Sequence, residues 1–147
     1  MARYRASVRT AADRATAFAY LARFDRAAEW DPGVTSGSML TDEPVRTGSR
    51  FRLEARFLGR SVPLEYEVIE CLAPVRIVLR AETGLIRSTD TITFTADGSG
   101  TVVSYDARLQ AKSIGRLAEP VLALVFRRIG DRAVGGLRAH LDRVASQ

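Results

Sequence analysis

The run Ser88-Thr89-Asp90-Thr91-Ile92-Thr93-Phe94 alternates in polarity. Its phase sets a carboxylate, Asp90, on the same strand face as Ser88, Ile92 and Phe94. A carboxylate on an inward face is unfavourable unless it is paired or neutralised. Asp90 therefore has three readings: it pairs with an arginine or sits at the solvent rim, it anchors a ligand, or it moves protons. It is the first candidate for a catalytic group. The phenols of Tyr66 and Tyr105 fall on inward faces too. Each needs a partner, either a ligand oxygen or a backbone carbonyl. The only tryptophan, Trp30, stands where Trp30-Asp31-Pro32-Gly33 ends a helical stretch. It can plug the end of the core or wall a cavity, where its N–H could meet a ligand oxygen.

Other chemistry is excluded by what the chain lacks. One cysteine, Cys71, and one histidine, His140, supply no disulfide, no metal cluster and no nucleophile–base pair. His140 falls near the end of the last helix, where a cation complements the helix dipole. Gly130, Gly135 and Gly136 lie inside that helix and form no phosphate loop; small residues there let it approach a sheet closely. Neither a cofactor nor a metal is expected.

The elements that would position these residues follow from periodicity. Tyr4 to Arg9 alternates as a strand. Asp13 is placed to cap a helix over about Arg14 to Ala22, and Phe24 to Glu29 reads as a second short helical piece. From Thr35 to Gln110 strands follow one another. Phe51, Leu53, Ala55 and Phe57 share one face; Val62, Leu64, Tyr66 and Val68 share the next; Ile77, Leu79 and Ala81 the one after. The phase slips at Ile69-Glu70, which predicts a bulge, and Ala96-Asp97-Gly98-Ser99-Gly100 predicts a hairpin. The last stretch changes period. Leu122, Val125, Phe126, Ile129, Ala133, Leu137 and Leu141 predict one amphipathic helix from about 117 to 144, with Pro120 in its first turn. An apolar sheet face and such a helix must bury each other. A twisted sheet cannot touch a straight helix along its whole length, so a gap between them is the natural ligand cavity.

Composition narrows the class. The chain has 147 residues, 46% hydrophobic and 27% charged, with no repeats or linkers, which fits one domain over 1–147. No apolar run is long enough to span a membrane, and the N-terminus lacks an apolar signal core, so a cytoplasmic protein is expected. The net charge is +5, carried almost wholly by scattered arginines. Scatter without an aromatic platform reads as solvated surface, not a nucleic-acid site, although a basic face assembled only in the fold stays open.

The element order, together with Ala17-Phe18-Ala19-Tyr20-Leu21-Ala22-Arg23-Phe24 leading to Trp30-Asp31-Pro32-Gly33-Val34, resembles the START-like helix-grip (SRPBCC) superfamily, and within it the polyketide cyclase/dehydrase branch. Leu64 to Glu70, Ile77 to Ala81 and Asp90 to Phe94 fit the same ordered pattern. The resemblance spans the whole chain. It implies an α+β helix-grip fold, with a curved antiparallel sheet of about seven strands around a long C-terminal helix and two short helices after the first strand. It also implies a cavity, with Trp30, Phe51, Leu53, Phe57, Tyr66, Leu79, Asp90, Ile92, Tyr105, Val121 and Val125 as its expected ligand-binding residues. The leading expectation is a carrier or sensor for a small hydrophobic molecule such as a lipid, polyketide or isoprenoid. The alternative is a cyclase or dehydratase in which Asp90, Tyr66 or Tyr105 moves protons. A third reading is a partner-binding module. Leu117, Val121, Leu122, Val125 and Phe126 make the start of the last helix apolar nearly all round, which also leaves a homodimer open.

Overall fold

The structure of the protein, a computed structural model, describes residues 2–57, 59–84, 86–112 and 119–146, and within these the side chains of all but Phe57, 119–123 and 142–146. The chain runs β1 (Ala2–Thr10), α1 (Arg14–Ala22), a 3-10 turn (Phe24–Arg26), α2 (Ala27–Trp30), β2 (Val34–Met39), β3 (Arg50–Phe57), β4 (Arg60–Leu72), β5 (Arg76–Glu82), β6 (Ile86–Asp97), β7 (Gly100–Ala111) and α3 (Glu119–Ser146). The strands form one antiparallel sheet in the order β1-β7-β6-β5-β4-β3-β2. The sheet curls around α3, which makes the helix-grip arrangement expected from the pattern.

Local chemistry explains the boundaries. The Asp13 carboxylate accepts from the Thr16 N–H at 2.7 Å, satisfying a donor that the first turn of α1 leaves free. The register of β4 on β5 shifts between Val68 and Glu70, which is the predicted bulge. Gly98 takes φ +61° in the β6–β7 turn, a conformation an L side chain rarely adopts. Pro120 lies in the first turn of α3, where its missing N–H leaves no gap in the helix.

The core sits between sheet and helices. Phe51, Leu79, Ile92 and Phe94 from the sheet are fully buried with Leu21, Leu137 and Leu141 from the helices. Phe18 of α1 meets Phe94 edge-on, with ring centres 5.2 Å apart. α3 comes close at two glycines. A Cβ on Gly136 would lie 1.8 Å from the Trp30 carbonyl oxygen, and one on Gly130 would lie 2.6 Å from the Tyr4 ring. Of the three helix glycines, then, Gly130 serves the approach to the sheet, Gly136 the approach to the end of α2, and Gly135 meets nothing within 4 Å.

The outer sheet face carries much of the charge. Arg3 pairs with Asp106 at 2.8 Å, Arg76 with Glu70 at 2.6 Å, Arg87 with Glu82 at 3.0 Å, and Arg50 with Glu65. Each of these arginines stands beside an acid. Exposed pairs of this kind add little stability.

Candidate functional site

The curl leaves a cavity of two lobes between the sheet and α3, about 300 Å³ and about 120 Å³ in volume. Leu53 and Ala55 of β3, Val62 and Leu64 of β4 and Leu109 of β7 line the larger lobe; Ala133, Val134 and Leu137 of α3 line the smaller. Phe126 and Ile129 of α3 line both. The two lobes also share one polar set: Asp31, Tyr66, Ser88, Asp90 and Tyr105, with the Trp30 ring beside them. The polar groups therefore gather where the lobes meet.

Each arrives by its own element. Trp30 ends α2, and the Asp31 N–H closes that turn on the Ala27 carbonyl at 2.7 Å. The Asp31 carboxylate then accepts from the Gly33 N–H at 2.8 Å, a side-chain turn that aims the chain into β2. Alternation along β6 turns Ser88 and Asp90 inward with Ile92 and Phe94. On β7, Tyr105 pairs opposite Ile92, which makes it the diagonal neighbour of Asp90 on the same face. Its O–H donates to Asp90 Oδ2 at 2.7 Å, and the Ser88 hydroxyl donates to Asp90 Oδ1 at 3.3 Å. Trp30 packs edge-on against the Tyr105 ring, and Phe24 edge-on against the Tyr66 ring.

This surrounding changes the acidity of the cluster. Asp90 is 6% exposed, and burial pushes its carboxyl up to about 6; the Tyr105 and Ser88 donors pull it back, and the negative charges of Asp31 and Asp106 push it further up. Burial also raises Asp31, opposed by its bond from Gly33. The Tyr66 and Tyr105 phenols are raised by burial first and by the Asp90 charge second. Asp90 can thus gain or lose a proton close to neutral pH, while both phenols stay protonated and act as hydrogen-bonding groups.

Trp30, Leu53, Tyr66, Asp90 and Tyr105 line the cavity. Trp30 is 5% exposed and takes both of its expected places, closing the core at the end of α2 and walling the cavity. Phe51, Leu79 and Ile92 lie fully buried in the core and line neither lobe. Val125 is half-buried and lines neither lobe, whereas its neighbour Phe126 lines both. The side chains of Phe57, Val121 and Leu122, and all of Leu117, lie outside the described residues. Asp90 is buried, so it is not at the rim, and its partners are two hydroxyls; no arginine pairs with it among the described residues. His140 lies against Tyr20 and away from the cavity. Sequence reasoning passes over Asp31 and Ser88 as site residues. In the sequence Asp31 is only the residue before a proline, yet that turn is what points it inward. Among the described residues no group of three or more His, Cys, Asp or Glu is arranged to hold a metal, and no helix is long and apolar enough to cross a membrane.

Similar proteins give this geometry a setting. The profile of the family described as polyketide cyclase/dehydrase and lipid transport matches residues 1–142. No curated protein sequence matches the chain. Solved structures do. A START superfamily protein from Mycobacterium smegmatis superposes with TM-score 0.80 at 14% identity, covering 97% of this chain and 98% of that one. A protein from Thermus thermophilus gives 0.79 at 19% identity, covering 95% and 96%. The Zhui aromatase/cyclase from a Streptomyces species gives 0.75 at 14% identity, covering 98% and 93%. At these identities the likeness is one of fold.

Proposed function

The chain belongs to the polyketide cyclase/dehydrase and lipid transport family, and on that premise we propose that it binds a small hydrophobic molecule in the cavity between the sheet and α3. One observation carries the reading: a cavity of about 300 Å³ whose walls are mostly apolar, with a polar cluster where its two lobes meet and Thr83 and the exposed Arg56 elsewhere on the wall. Pockets of this size and make-up bury most of a small ligand, with a few polar groups to orient it. The experiment is a titration with a neutral fluorescent apolar dye such as phenylnaphthylamine, read both by the dye and by Trp30 emission. Ala55→Phe on β3 fills the larger lobe in a strand where Phe is well tolerated. It should weaken dye binding by about tenfold or more and keep the fold, a loss on the scale of one excluded apolar group. Unchanged affinity in that variant would sink the reading.

A specific observation also favours a second reading. Asp90, with its carboxyl at about 6 beside two phenols, has the acidity of a group that exchanges protons with a substrate near neutral pH. An enzyme acting on a polyketide-like chain would use Asp90 for proton transfer and the lobes to hold the chain folded. Asp90→Asn would then leave dye binding nearly intact and abolish turnover; lost binding with no turnover in the native protein argues for the carrier.

A further inference from the structure

We infer that the cavity selects an apolar molecule whose polar head donates hydrogen bonds, a hydroxyl or a protonated amine, and rejects one whose head is a carboxylate. The inference rests on the cavity being a binding site and adds the chemistry of the ligand's polar end. It follows from counting which protons the cluster has already used. The Tyr105 proton is committed to Asp90 Oδ2 and the Ser88 proton to Asp90 Oδ1. One oxygen of Asp31 is taken by the Gly33 N–H. What remains toward the cavity is the lone pairs on the Tyr105 and Ser88 oxygens, the unused ones of Asp90 and the second oxygen of Asp31, together with two donors, the Tyr66 O–H and the Trp30 N–H. In the smaller lobe the Tyr4 phenol is likewise spent, donating to Asp131 at 2.8 Å. A ligand carboxylate placed here would add a third negative charge beside Asp31 and Asp90 in a buried site, a repulsion that the Tyr66 and Trp30 donors do not remove. A hydroxyl or ammonium would instead donate to the carboxylate oxygens of Asp31 and Asp90.

Among the described lining residues one cation opposes this: Arg56 of β3, which is exposed and lines the larger lobe but not the smaller. A carboxylate could be held there with its tail pointing inward. The test therefore uses Arg56→Gln as its background.

Four probes share one aromatic body: methylnaphthalene, naphthol, naphthylmethylamine and naphthoate. Their affinities are measured at about pH 8 by competition with the neutral dye. Naphthol and protonated naphthylmethylamine should each bind about tenfold or more tighter than naphthoate, the scale set by one hydrogen bond to a charged group. The amine and the acid lose comparable hydration on entry, so a simple greasy pocket would reject both, and only an acidic pocket separates them. The double change Asp31→Asn with Asp90→Asn should close that gap, because it removes both charges and keeps acceptors in place. Naphthoate binding as tightly as naphthol and the amine would overturn the inference, as would a gap that survives the double change. Methylnaphthalene keeps the two readings apart. If it binds and the head-group order fails, the cavity reading stands and the inference falls; if no probe binds, both fall.

Discussion

Asp90→Asn should make the protein more stable at neutral pH, and the gain should disappear in acid. Asp90 is 6% exposed, and burial lifts its carboxyl from the ordinary 3.8 to about 6. A raised acid binds its proton more tightly in the folded state than in the unfolded chain. Between about pH 4 and pH 6 the folded state therefore holds more protons, and stability falls as pH rises through that window. Above about pH 6 the full penalty is present. A shift of this size corresponds to about 3 kcal/mol, an upper figure because local water and relaxation soften burial. Asn keeps an oxygen to accept from Tyr105 and carries no charge to desolvate. The melting temperature of the variant should exceed that of the native protein by several degrees at pH 7 to 8, at about 3 °C per kcal/mol for a chain of this length. The difference should shrink toward a constant small offset near pH 4. Melting curves of both proteins at half-unit steps across this range decide it, since other groups titrate equally in the two. A variant less stable at pH 7, or a difference that does not change between pH 4 and 7, would refute the argument that burial governs Asp90.

Two further changes test how the elements that frame the site are held. Gly136→Ala should destabilise by several kcal/mol in denaturant melts despite the better helix propensity of alanine, because its Cβ has no room 1.8 Å from the Trp30 carbonyl; Gly135→Ala, with nothing within 4 Å, should stabilise by about 0.5–1 kcal/mol. Equal effects at the two positions would contradict the seating of α3 on the end of α2. Asp13→Ala should lower stability by about 1 kcal/mol through loss of the cap bond to Thr16, and Asp13→Asn should restore most of it in the same melts.

Most of the fold was legible because each strand carries its own period and each helix its own stop signals. Asp13 and Arg23 bracket α1 where the cap and the break in pattern predict, and the slip at Ile69-Glu70 became the shift between Val68 and Glu70. The site was legible one residue at a time and not as a constellation. The alternation of β6 gave the inward face of Asp90, but its partner depends on register, which alternation does not carry. The register was nonetheless within reach. Asp97 pairs with Gly100 across the turn, and counting outward from that pair sets Ile92 opposite Tyr105 and Asp90 opposite Ala107. That count alone makes Tyr105 the diagonal neighbour of Asp90. Which apolar residues line the cavity was not legible, because Leu53 and Phe51 share a face and are both buried, and alternation does not say which of them borders the gap.

The energetics of Asp90 bear on why a carboxylate stands in this wall at all. Its two hydroxyl donors do not compensate for burial, since its acidity remains well below that of a free aspartate. Tyr105 could satisfy its own O–H against a neutral acceptor just as well. By position and by energy, then, Asp90 is not a device for holding β6 to β7, which an unbroken run of backbone pairing from Ile86–Ala111 to Asp97–Gly100 already does. Asp31 differs: its bond to the Gly33 N–H builds the turn that carries the chain from α2 to β2, so its charge near the cavity accompanies a structural duty. The two carboxylates separate accordingly. Replacing Asp31 by a residue that cannot accept from the Gly33 N–H should disturb the corner that seats Trp30, whereas replacing Asp90 should leave the framework standing and alter what the cavity offers to its occupant. Asp90 is therefore the position at which binding and proton chemistry can be varied with the fold held fixed.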